Sequence, residues 1–457
     1  RNRDQPHDHK QLLLLGISLL CGIAFIGLFS LIAINGPKIS LNTIAFNLLQ
    51  SIRTPKLDAI AVWCTHFGEL TGVITPAFLL LATLFAYNKQ LSKAFLSIAT
   101  LVVSCGSAFI TRHLVHSPRP TGFVFVKSTS SFVSGHAILS LILFSLWAYF
   151  SSGFLSKSQK KLCYIASITM ILLVGFSRVL LGAHWLTGVL GAWLLGVTIL
   201  TFFIMLYRRH HHHTLQQKPK HWFLLSPLCL LLPWLVYSNY YFEDNLKMTQ
   251  PIQVVQRISI QQWWQGATNP LPHYRKNRLG FPSQAFNLQW LGDIDSITKT
   301  LTTAGFELPA SPITLQKSTP TDGAMNAQPN HQLALLPSLY RNTPATLIMM
   351  KIDPATQQKL ELRLWRSFYH ITDQQPLWIG AIYFHNDHAP KSLYRRHHSA
   401  LYQFKHHSAL NVLTPLLKQH KTKIISVRPD HSSRALRNQL WPGTILLVQP
   451  KQTQALH

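Results

Sequence analysis

The sequence predicts an all-α bundle of transmembrane helices, with a six-helix core and a seventh span, followed by a soluble α+β domain. Three observations predict this fold class. Hydrophobic residues make up 47% of the 457 residues, and charged residues only 12%. Seven segments in the first half reach or approach the roughly 20 apolar residues that cross a bilayer as a helix. Beyond residue 240 the apolar runs shorten to the length of strands.

The apolar segments divide the chain into predicted regions. They cover residues 11–34, 68–87, 92–112, 133–152, 163–181, 184–206 and 222–239. We predict a cytoplasmic tail over 1–10, a six-span membrane domain over 11–206, a basic, His-rich cytoplasmic linker over 207–221, the seventh helix over 222–239 and a soluble periplasmic domain over 240–457. Residues 41–60 predict an amphipathic helix that is broken at Pro55 and lies in the membrane interface.

The positions of Lys and Arg predict the orientation of the spans. Cytoplasmic loops of membrane proteins carry an excess of these residues. Alternate loops are basic, with residues Arg1, Arg3, Lys10, Lys89, Lys93, Lys157, Lys160, Lys161, Arg208 and Arg209. The opposite face is then the periplasmic side of a bacterial inner membrane. Arg119 and Lys127 break the charge bias on that face, as expected of residues that serve a ligand.

The charge balance predicts an anionic partner. Forty-two Lys and Arg residues against fifteen acidic residues give a formal net charge of +27. Nucleic acid is disfavoured, because the basic residues flank apolar runs in the manner of a membrane protein. The basic periplasmic domain is expected to bind anionic lipid, glycan or a partner. All five cysteines lie in or beside apolar segments, so no disulfide framework supports the C-terminal half.

Beyond the seventh span the pattern predicts strands and two helices. The predicted strands cover residues 345–352, 359–369, 376–384, 423–428 and 443–448. Asp293 as N-cap and Gly305 as the stop bound one predicted helix. A second helix is predicted near residues 408–418. The segment 308–330, which is rich in Pro, Thr, Ser and Asn, is predicted to be a mobile loop.

Three short clusters at the ends of apolar segments carry the candidate chemistry. They are Arg112 with Arg119–Pro120, then Ser134–Gly135–His136, then Ser177–Arg178 with His184. The predicted topology places all three clusters on the outer face. Ionisable side chains at membrane depth are costly and are candidates for function. In an alternative interpretation, the two histidines only pack between helices and Arg112 only extends its charged end to the membrane surface. The convergence of the three clusters on one face disfavours this alternative.

These residue types point to a bound phosphate. Arginine presents fixed N–H donors that match phosphate oxygens and keeps its charge. Ser134 and Gly135 begin a span, where free backbone N–H groups and the helix dipole favour an anion. His136 and His184 can supply the nucleophile and the proton donor that phosphoryl transfer requires.

Carboxylates are scarce in the membrane half. Between residues 9 and 242 the only acidic residues are Asp58 and Glu69. A two-metal phosphatase site needs several carboxylates or a dense set of histidines. We therefore expect no metal and no other cofactor, and a mechanism through a covalent phosphohistidine. The His210–His213 run is more typical of a solvated flank than of a metal site.

The clusters resemble the motifs of the type 2 phosphatidic acid phosphatase superfamily of membrane enzymes. The family pattern is K-x6-RP, then PSGH, then SR-x5-H-x3-D. Arg112 replaces the lysine, Val133 replaces the proline and Gly188 replaces the final aspartate, while the other positions match. The resemblance covers roughly residues 40–206 and includes the six-helix hydropathy pattern.

The resemblance implies a role for each site residue. His184 would attack phosphorus in line, while His136 would protonate the leaving group and later activate water. The three arginines of the clusters would stabilise the equatorial oxygens of the phosphoryl group. Ser134 and Gly135 would bind the phosphate at the start of their helix.

Gly188 is the consequential departure from the family pattern, because the missing aspartate fixes the tautomer and orientation of the nucleophilic histidine. Three hypotheses follow. Glu69 substitutes for the aspartate from another helix, or Thr187 or a backbone carbonyl orients His184, or catalysis is lost. In the serine-protease template, spoiling an analogous carboxylate costs roughly 10⁴ in kcat.

Over residues 245–440 the chain resembles the LssY-type C-terminal domain that is often fused to membrane proteins of this kind. The matching stretches are WWQG near Trp263, LPHYR near His273, AGF at Phe306, LRLW at Leu362–Trp365 and PLWIG at Pro376–Gly380. The resemblance implies no defined activity for this domain.

The resulting expectation is an integral lipid phosphatase of a bacterial inner membrane. It would cleave a lipid phosphate or diphosphate head group at the periplasmic face, and undecaprenyl diphosphate, phosphatidylglycerol phosphate and a lipid A phosphate all fit. One alternative is a lipid phosphotransferase. Another is a catalytically degenerate lipid-phosphate-binding protein whose soluble domain carries the function. The oligomeric state stays open.

Overall fold

The chain divides into two compact units, residues 1–252 and residues 253–457. The computed structural model describes residues 6–120, 130–210, 222–249, 255–265, 270–277, 280, 282–308, 339–341, 343–354, 357–371, 375–384, 406–428 and 441–451. Most of the predicted loop 308–330, most of the predicted linker 207–221 and Lys127 lie outside these ranges.

The first unit is helical. Its helices are α1 (Pro6–Asn35), α2 (Ser40–Ser51), α3 (Pro55–His66), α4 (Thr75–Tyr87), which follows a π-helical turn at Leu70–Ile74, α5 (Leu91–Leu114), α6 (Gly135–Ser151), α7 (Lys157–Leu180), α8 (Leu186–His210) and α9 (Trp222–Met248). Within the described residues, five helical segments are long and apolar enough to cross a membrane: Gln11–Asn35, Leu70–Tyr87, Leu91–Leu114, Lys157–Leu180 and Leu186–Arg209. The chain is thus a membrane protein, as its hydropathy predicted.

Helix α6 forms the centre of this unit. It is shorter than the five candidate spans, at 17 residues, and side chains on all of its faces are buried. Helices α5, α7 and α8 pack around it. A helix that is apolar all round is stable only in such a buried position, so the site residues at its N-terminus are held by the best-packed element of the bundle.

The segment between the first two predicted spans forms two helices, as the break at Pro55 predicted. Thr54 caps α3 by accepting a hydrogen bond from the Leu57 N–H at 3.2 Å, and Pro55 occupies the first helical turn. Proline is tolerated there because that N–H has no helical partner. Both α2 and α3 contact α7. Their buried polar side chains, Asn42 and Gln50 among them, therefore reach the functional corner described below.

Helix α9 extends further than the predicted seventh span. The prediction ended at residue 239, whereas the helix continues to Met248 and the compact unit ends at residue 252. The polar last turns stay helical because they pack on α3 and bond to it. Among the described residues α9 is not one of the five segments that meet the length and hydropathy requirement, so its crossing of the membrane stays a prediction.

The second unit is an α+β domain, as predicted. Its elements are β1 (Gln256–Ile258), α10 (Ile260–Gln265), β2 (Tyr274–Lys276), β3 (Pro282–Ala285), β4 (Leu288–Leu291), α11 (Ile294–Thr303), β5 (Leu339–Tyr340), β6 (Thr343–Pro344), β7 (Leu347–Ile352), β8 (Lys359–Ile371), β9 (Pro376–Phe384), α12 (His406–Leu413), β10 (His420–Ser426) and β11 (Thr444–Pro450). The five predicted strands are confirmed as β7 to β11, with their ends shifted by a few residues.

The main sheet has the strand order β1-β8-β9-β4-β11-β10, and β7 also pairs with β8. The pairs β1/β8 and β4/β11 are parallel, and the other pairs are antiparallel. Apolar clusters pack on both faces of the sheet, and α11 and α12 contribute to one of them. Asp293 caps α11 by accepting from the N–H groups of Asp295 and Ser296, as predicted.

Candidate active site

The corner between α7 and α8 places Arg178 and His184 together. The main-chain N–H groups of Ala183 and His184 donate to the Arg178 carbonyl at 3.0 and 3.1 Å. The last carbonyls of a helix need such donors, and here they fold residues 181–185 back onto the end of α7. Arg178 and His184 are both buried, with 6% and 2% of their surfaces exposed. A guanidinium and an imidazole thus share one buried corner.

Two nitrogens of the Arg178 guanidinium differ in their hydrogen bonding. Its Nη1 donates to Thr65 Oγ1 at 2.9 Å, so the end of α3 holds the group from one side. Its Nε is buried without a hydrogen-bond partner among the described residues. Leaving a buried donor unsatisfied costs about 1–3 kcal/mol, and more for a charged group. This donor is therefore poised for an anionic ligand.

The His184 ring is oriented by a backbone carbonyl. Its Nδ1 lies 2.8 Å from the Ser131 carbonyl oxygen and 3.5 Å from Ser131 Oγ. A carbonyl oxygen only accepts hydrogen bonds, so Nδ1 carries the proton and donates it. The lone pair then lies on Nε2, which has no hydrogen-bond partner among the residues that the structure describes. The arrangement prepares Nε2 to act as a nucleophile.

The Ser131 carbonyl reaches His184 because position 188 is glycine. A Cβ atom added to Gly188 would collide with the Ser131 carbonyl oxygen. The two segments are also joined by a hydrogen bond from the Ser134 N–H to the Gly188 carbonyl at 2.9 Å. On the other side, the buried ring of Phe132 stacks on Phe25 of α1, with ring centroids 6.2 Å apart. The carbonyl therefore occupies space that a side chain at position 188 would need.

The N-terminus of α6 supplies further donors. Ser134 is the N-cap residue, and its buried Oγ has no partner in the described part of the chain. Arg112 Nε donates to the Val133 carbonyl at 2.9 Å, and its Nη2 would lie 2.5 Å from a Cβ added to Gly135. The guanidinium thus lies against the first turn of α6, where free N–H groups already favour an anion. His136 follows in the same turn and packs against Gly68.

Burial and neighbouring positive charges disfavour the protonated form of the groups at this corner. Burial and the charge of Arg112 lower the pKa of Arg119. Burial, followed by the charges of Arg119 and Arg178, lowers the pKa of His184 well below its ordinary value, and the Ser131 carbonyl opposes that shift. His184 is therefore neutral near pH 7, as a nucleophile must be. His136 experiences the charges of the same three arginines.

Comparison with known proteins identifies the family. The model of the PAP2 superfamily matches residues 109–212, which contain all three clusters, and that of the LssY C-terminus matches residues 268–397. A relative from Bacillus subtilis (strain 168), phosphatidylglycerophosphatase B, is 32% identical over 161 residues, covering 34% of this chain and 76% of the relative. The chain belongs to the PAP2 superfamily. Membership implies a phosphatase. The two family-model matches confirm the two predicted resemblances.

A solved structure is also similar to this PAP2 chain. It is described as the first transmembrane PAP2 type phosphatidylglycerolphosphate phosphatase from Bacillus subtilis. The two chains are 26% identical with a TM-score of 0.39, and the match covers 42% of this chain and 96% of the other.

The structure brings the predicted cluster residues together, but it places the two candidate side-chain substitutes for the aspartate in other hydrogen bonds. Glu69 caps the π-helical turn before α4, where its carboxylate accepts from the Gly72 N–H at 2.5 Å and from Thr71 Oγ1. Thr187 bonds to Asn42 through its N–H and its hydroxyl. Neither hydrogen-bonds to His184 within the described ranges. The carbonyl of Ser131 occupies that position, which is the backbone alternative among the hypotheses.

Sequence reasoning missed three residues around the PAP2 site. Ser131 acts through a main-chain oxygen, which leaves no signature in residue type. Thr65 holds Arg178, and Asn42 holds the start of α8. Thr65 is a polar residue that directly follows the apolar run AIAVWC, whereas Asn42 is one of several polar residues in α2. The break at Pro55 separates them, however, and only the fold shows that α2 and α3 reach the same corner.

Proposed function

We propose that this PAP2 chain is an integral membrane lipid phosphatase that acts through a phosphohistidine on His184 without a metal. The observation that carries the proposal is the geometry of the buried corner. His184 Nε2 holds the lone pair, and Arg178 Nε is an unused buried donor at the same corner. A nucleophile beside a fixed cation is what the in-line attack on a phosphoryl group requires.

The proposed reaction has two steps. In the first, the lone pair of His184 Nε2 forms a bond to phosphorus as the bond from phosphorus to the lipid oxygen breaks, and His136 gives its proton to that oxygen. In the second, His136 takes a proton from water, the water oxygen bonds to phosphorus, and the N–P bond breaks. Inorganic phosphate leaves and His184 is regenerated. The same residue serves as acid and then as base.

The surrounding donors suit the phosphoryl oxygens. Arg112, Arg119 and Arg178 would neutralise the charge that spreads over the equatorial oxygens, and Ser134 Oγ with the N-terminus of α6 would add neutral donors. The bound phosphate also supplies the negative charge that favours a protonated His136 among the three arginines. Binding of substrate and protonation of the acid are therefore coupled.

The Ser131 carbonyl supports activity despite the missing aspartate. In the serine-protease template, much of the roughly 10⁴-fold loss on spoiling the carboxylate arises from the wrong histidine tautomer. The carbonyl enforces the same tautomer as a carboxylate would, because both only accept. It differs in carrying no charge, so it gives less stabilisation to the cationic ring of the intermediate.

The distribution of basic residues supports a location for the active site, and the similarity to a known enzyme supports a class of substrate. The basic loops favour an active site on the periplasmic face of a bacterial inner membrane. The Bacillus subtilis relative is named for phosphatidylglycerophosphate, so this lipid is the first substrate to test, with undecaprenyl diphosphate and a lipid A phosphate beside it.

The test is phosphate release by the purified protein from a panel of lipid phosphates and diphosphates. We expect wild type to hydrolyse at least one of them, His184→Ala to abolish turnover, and His113→Ala, an exposed histidine at the end of α5, to leave it unchanged. EDTA should have no effect. Turnover that survives His184→Ala, or an absence of turnover on every lipid with phosphate binding retained, contradicts the proposal and favours a binding protein.

A further inference from the structure

Helix α9 follows the residues that match the PAP2 family and packs closely on α3. The family match ends at residue 212, whereas α9 begins at Trp222. Trp234 of α9 donates through Nε1 to the Trp63 carbonyl at 3.0 Å. The same indole stacks on Phe67, with ring centroids 4.6 Å apart and 7° between the planes. The contact is specific, since it combines a hydrogen bond with parallel stacking.

Both ring nitrogens of His66, at the end of α3, bond to α9. His66 is 2% exposed. Its Nδ1 lies 2.8 Å from Ser238 Oγ, and its Nε2 lies 3.0 Å from Asn245 Nδ2. The amide donates to Nε2, so Nδ1 carries the proton and donates to the serine. Ser238 and Asn245 are seven residues apart and therefore share one face of α9. This face clamps the imidazole from both ends.

The clamped end of α3 is also the end that holds Arg178. Thr65, the residue before His66, accepts the hydrogen bond from Arg178 Nη1 at 2.9 Å. A shift of the last turn of α3 would carry Thr65 Oγ1 with it, because both residues belong to the same rigid turn. Two hydrogen bonds between α9 and His66 thus fix the position of Thr65, the partner of Arg178.

A second chain of hydrogen bonds joins the end of α9 to the end of α7. Arg53 donates to the Thr249 carbonyl at 2.8 Å and to Gln50 Oε1 at 3.1 Å. Gln50 in turn donates to the Leu180 carbonyl at 2.8 Å. Asp58 holds Arg53 in place through two bonds of 2.8 and 2.9 Å. Leu180 lies two residues after Arg178, so the second route ends in the same last turn of α7.

We propose that α9 is a positioning element of the phosphate site, and that His66 is the positioning residue through which it fixes the Arg178 guanidinium. The proposal rests on the proposed function in one respect, namely that Arg178 binds the phosphate group. The helix that precedes the second unit is then part of the catalytic unit, although it lies beyond the family's matching residues. A purely structural α9 would support the fold without affecting the affinity for phosphate.

The experiment measures the binding of orthovanadate, a phosphate analogue, to the purified full-length protein in detergent by calorimetry. Ser238→Ala and Asn245→Leu each remove one bond to His66. Asp244→Asn, at an exposed position in the same turn of α9, is the matched control. We expect each of the first two variants to bind orthovanadate about tenfold more weakly, as the loss of a positioned hydrogen bond to a charged site entails, and the control to bind as wild type does.

A double-mutant cycle with Thr65→Val separates positioning from general stability. If α9 acts through Thr65, the losses of affinity caused by Asn245→Leu and Thr65→Val are not additive, because the second change removes a bond that the first has already displaced. The midpoint of thermal unfolding is recorded for every variant. Additive losses, or wild-type affinity in both α9 variants, overturn the inference.

The result is separable from the test of the proposed function. If wild type binds orthovanadate but hydrolyses no lipid, the proposed function fails and the affinities of the variants still decide the role of α9. If wild type hydrolyses lipid and the α9 variants bind normally, only the inference about α9 fails. An absence of orthovanadate binding in wild type overturns both, since Arg178 would then not be a phosphate ligand.

Discussion

At the residue scale, the contact between Gly188 and Ser131 determines which nitrogen of His184 carries the lone pair. The carbonyl oxygen of Ser131 accepts from Nδ1 at 2.8 Å, and the absence of a side chain at Gly188 leaves room for that oxygen. Gly188 and the Ser131 carbonyl therefore act together to orient the His184 ring in this PAP2 chain. An aspartate at position 188 alone would displace the Ser131 carbonyl from His184. It would not by itself create the geometry in which an aspartate orients the histidine.

We predict that Gly188→Ala and Gly188→Asp both lower kcat by about 100-fold or more, because a displacement of about 1 Å in a catalytic group has an effect of that size. The measurement is phosphate release at saturating substrate. Gly106→Ala is the control, since Gly106 also lies inside a long helix but an added Cβ there meets no atom within 4 Å. A Gly188→Asp variant more active than wild type would show that the carbonyl is a poor substitute for the carboxylate.

The electrostatic surroundings of His184 predict the pH dependence. Burial and the charges of Arg119 and Arg178 lower the pKa of His184 well below its ordinary value. The reactive form is neutral, so kcat/KM should stay high below the ordinary histidine pKa of about 6.5 and fall only as the pH drops through the lowered pKa. Arg119→Gln removes one of the charges and should move this acidic limb to higher pH. A wild-type midpoint at or above the ordinary value would contradict the prediction.

At the element scale, the short helices α2 and α3 hold the ends of the long helices. Asn42 of α2 is fully buried and accepts from the Thr187 N–H at 3.0 Å. Its amide nitrogen donates to Thr187 Oγ1 and to the Pro37 carbonyl, both at 2.9 Å. The first N–H groups of a helix lack partners within it, so Asn42 completes the start of α8 from a distant part of the chain.

We predict that Asn42→Ala destabilises the membrane unit by about 2–3 kcal/mol, since it leaves buried polar groups of Thr187 and Pro37 without partners. The apparent midpoint of thermal unfolding in detergent measures the effect. Asn47→Ala is the matched control, because Asn47 lies in the same helix and its side chain, among the described residues, bonds only to the Thr43 carbonyl one turn away. Equal midpoints for the two variants would refute the role assigned to Asn42.

Elements differ in how far the sequence predicts them. The long apolar helices, the strands β7 to β11 and the cap at Asp293 follow from hydropathy, alternation and local chemistry. The end of α9 does not follow from the sequence, because polar residues such as Asn245 and Lys247 are typical of a loop. Only the packing of α3 beside them explains why they are helical. The orienting group of His184 is likewise hidden, since a carbonyl is present at every position and only tertiary structure selects the one at Ser131.

At the scale of the whole molecule, the boundary between the two units lies after α9. Residues 1–252 form one compact unit, and it contains every residue of the proposed site together with the clamp on His66. Residues 253–457 form their own sheet and apolar clusters. We therefore expect catalysis to depend on the first unit, while the binding of anionic lipid or glycan by the basic second unit stays a prediction.

We predict that a chain ending at residue 252 retains the kcat/KM of the full-length protein, whereas a chain ending at residue 221 loses it because α9 is missing. Phosphate release by both truncated proteins is the measurement, with His184→Ala in the longer one as the control for background. Loss of activity in the 1–252 protein would mean that the second unit contributes directly to turnover.

The uncharged carbonyl beside His184 has a consequence for the end of the catalytic cycle. None of the ion pairs among the described residues involves Arg112 or Arg178, and Gly188 adds no negative charge to the pocket. Inorganic phosphate leaves as an anion, and the guanidinium groups that stabilise the transition state also retain this product. Product release should therefore limit turnover in this chain more than in relatives that keep the aspartate, and turnover should slow as free phosphate accumulates and rebinds.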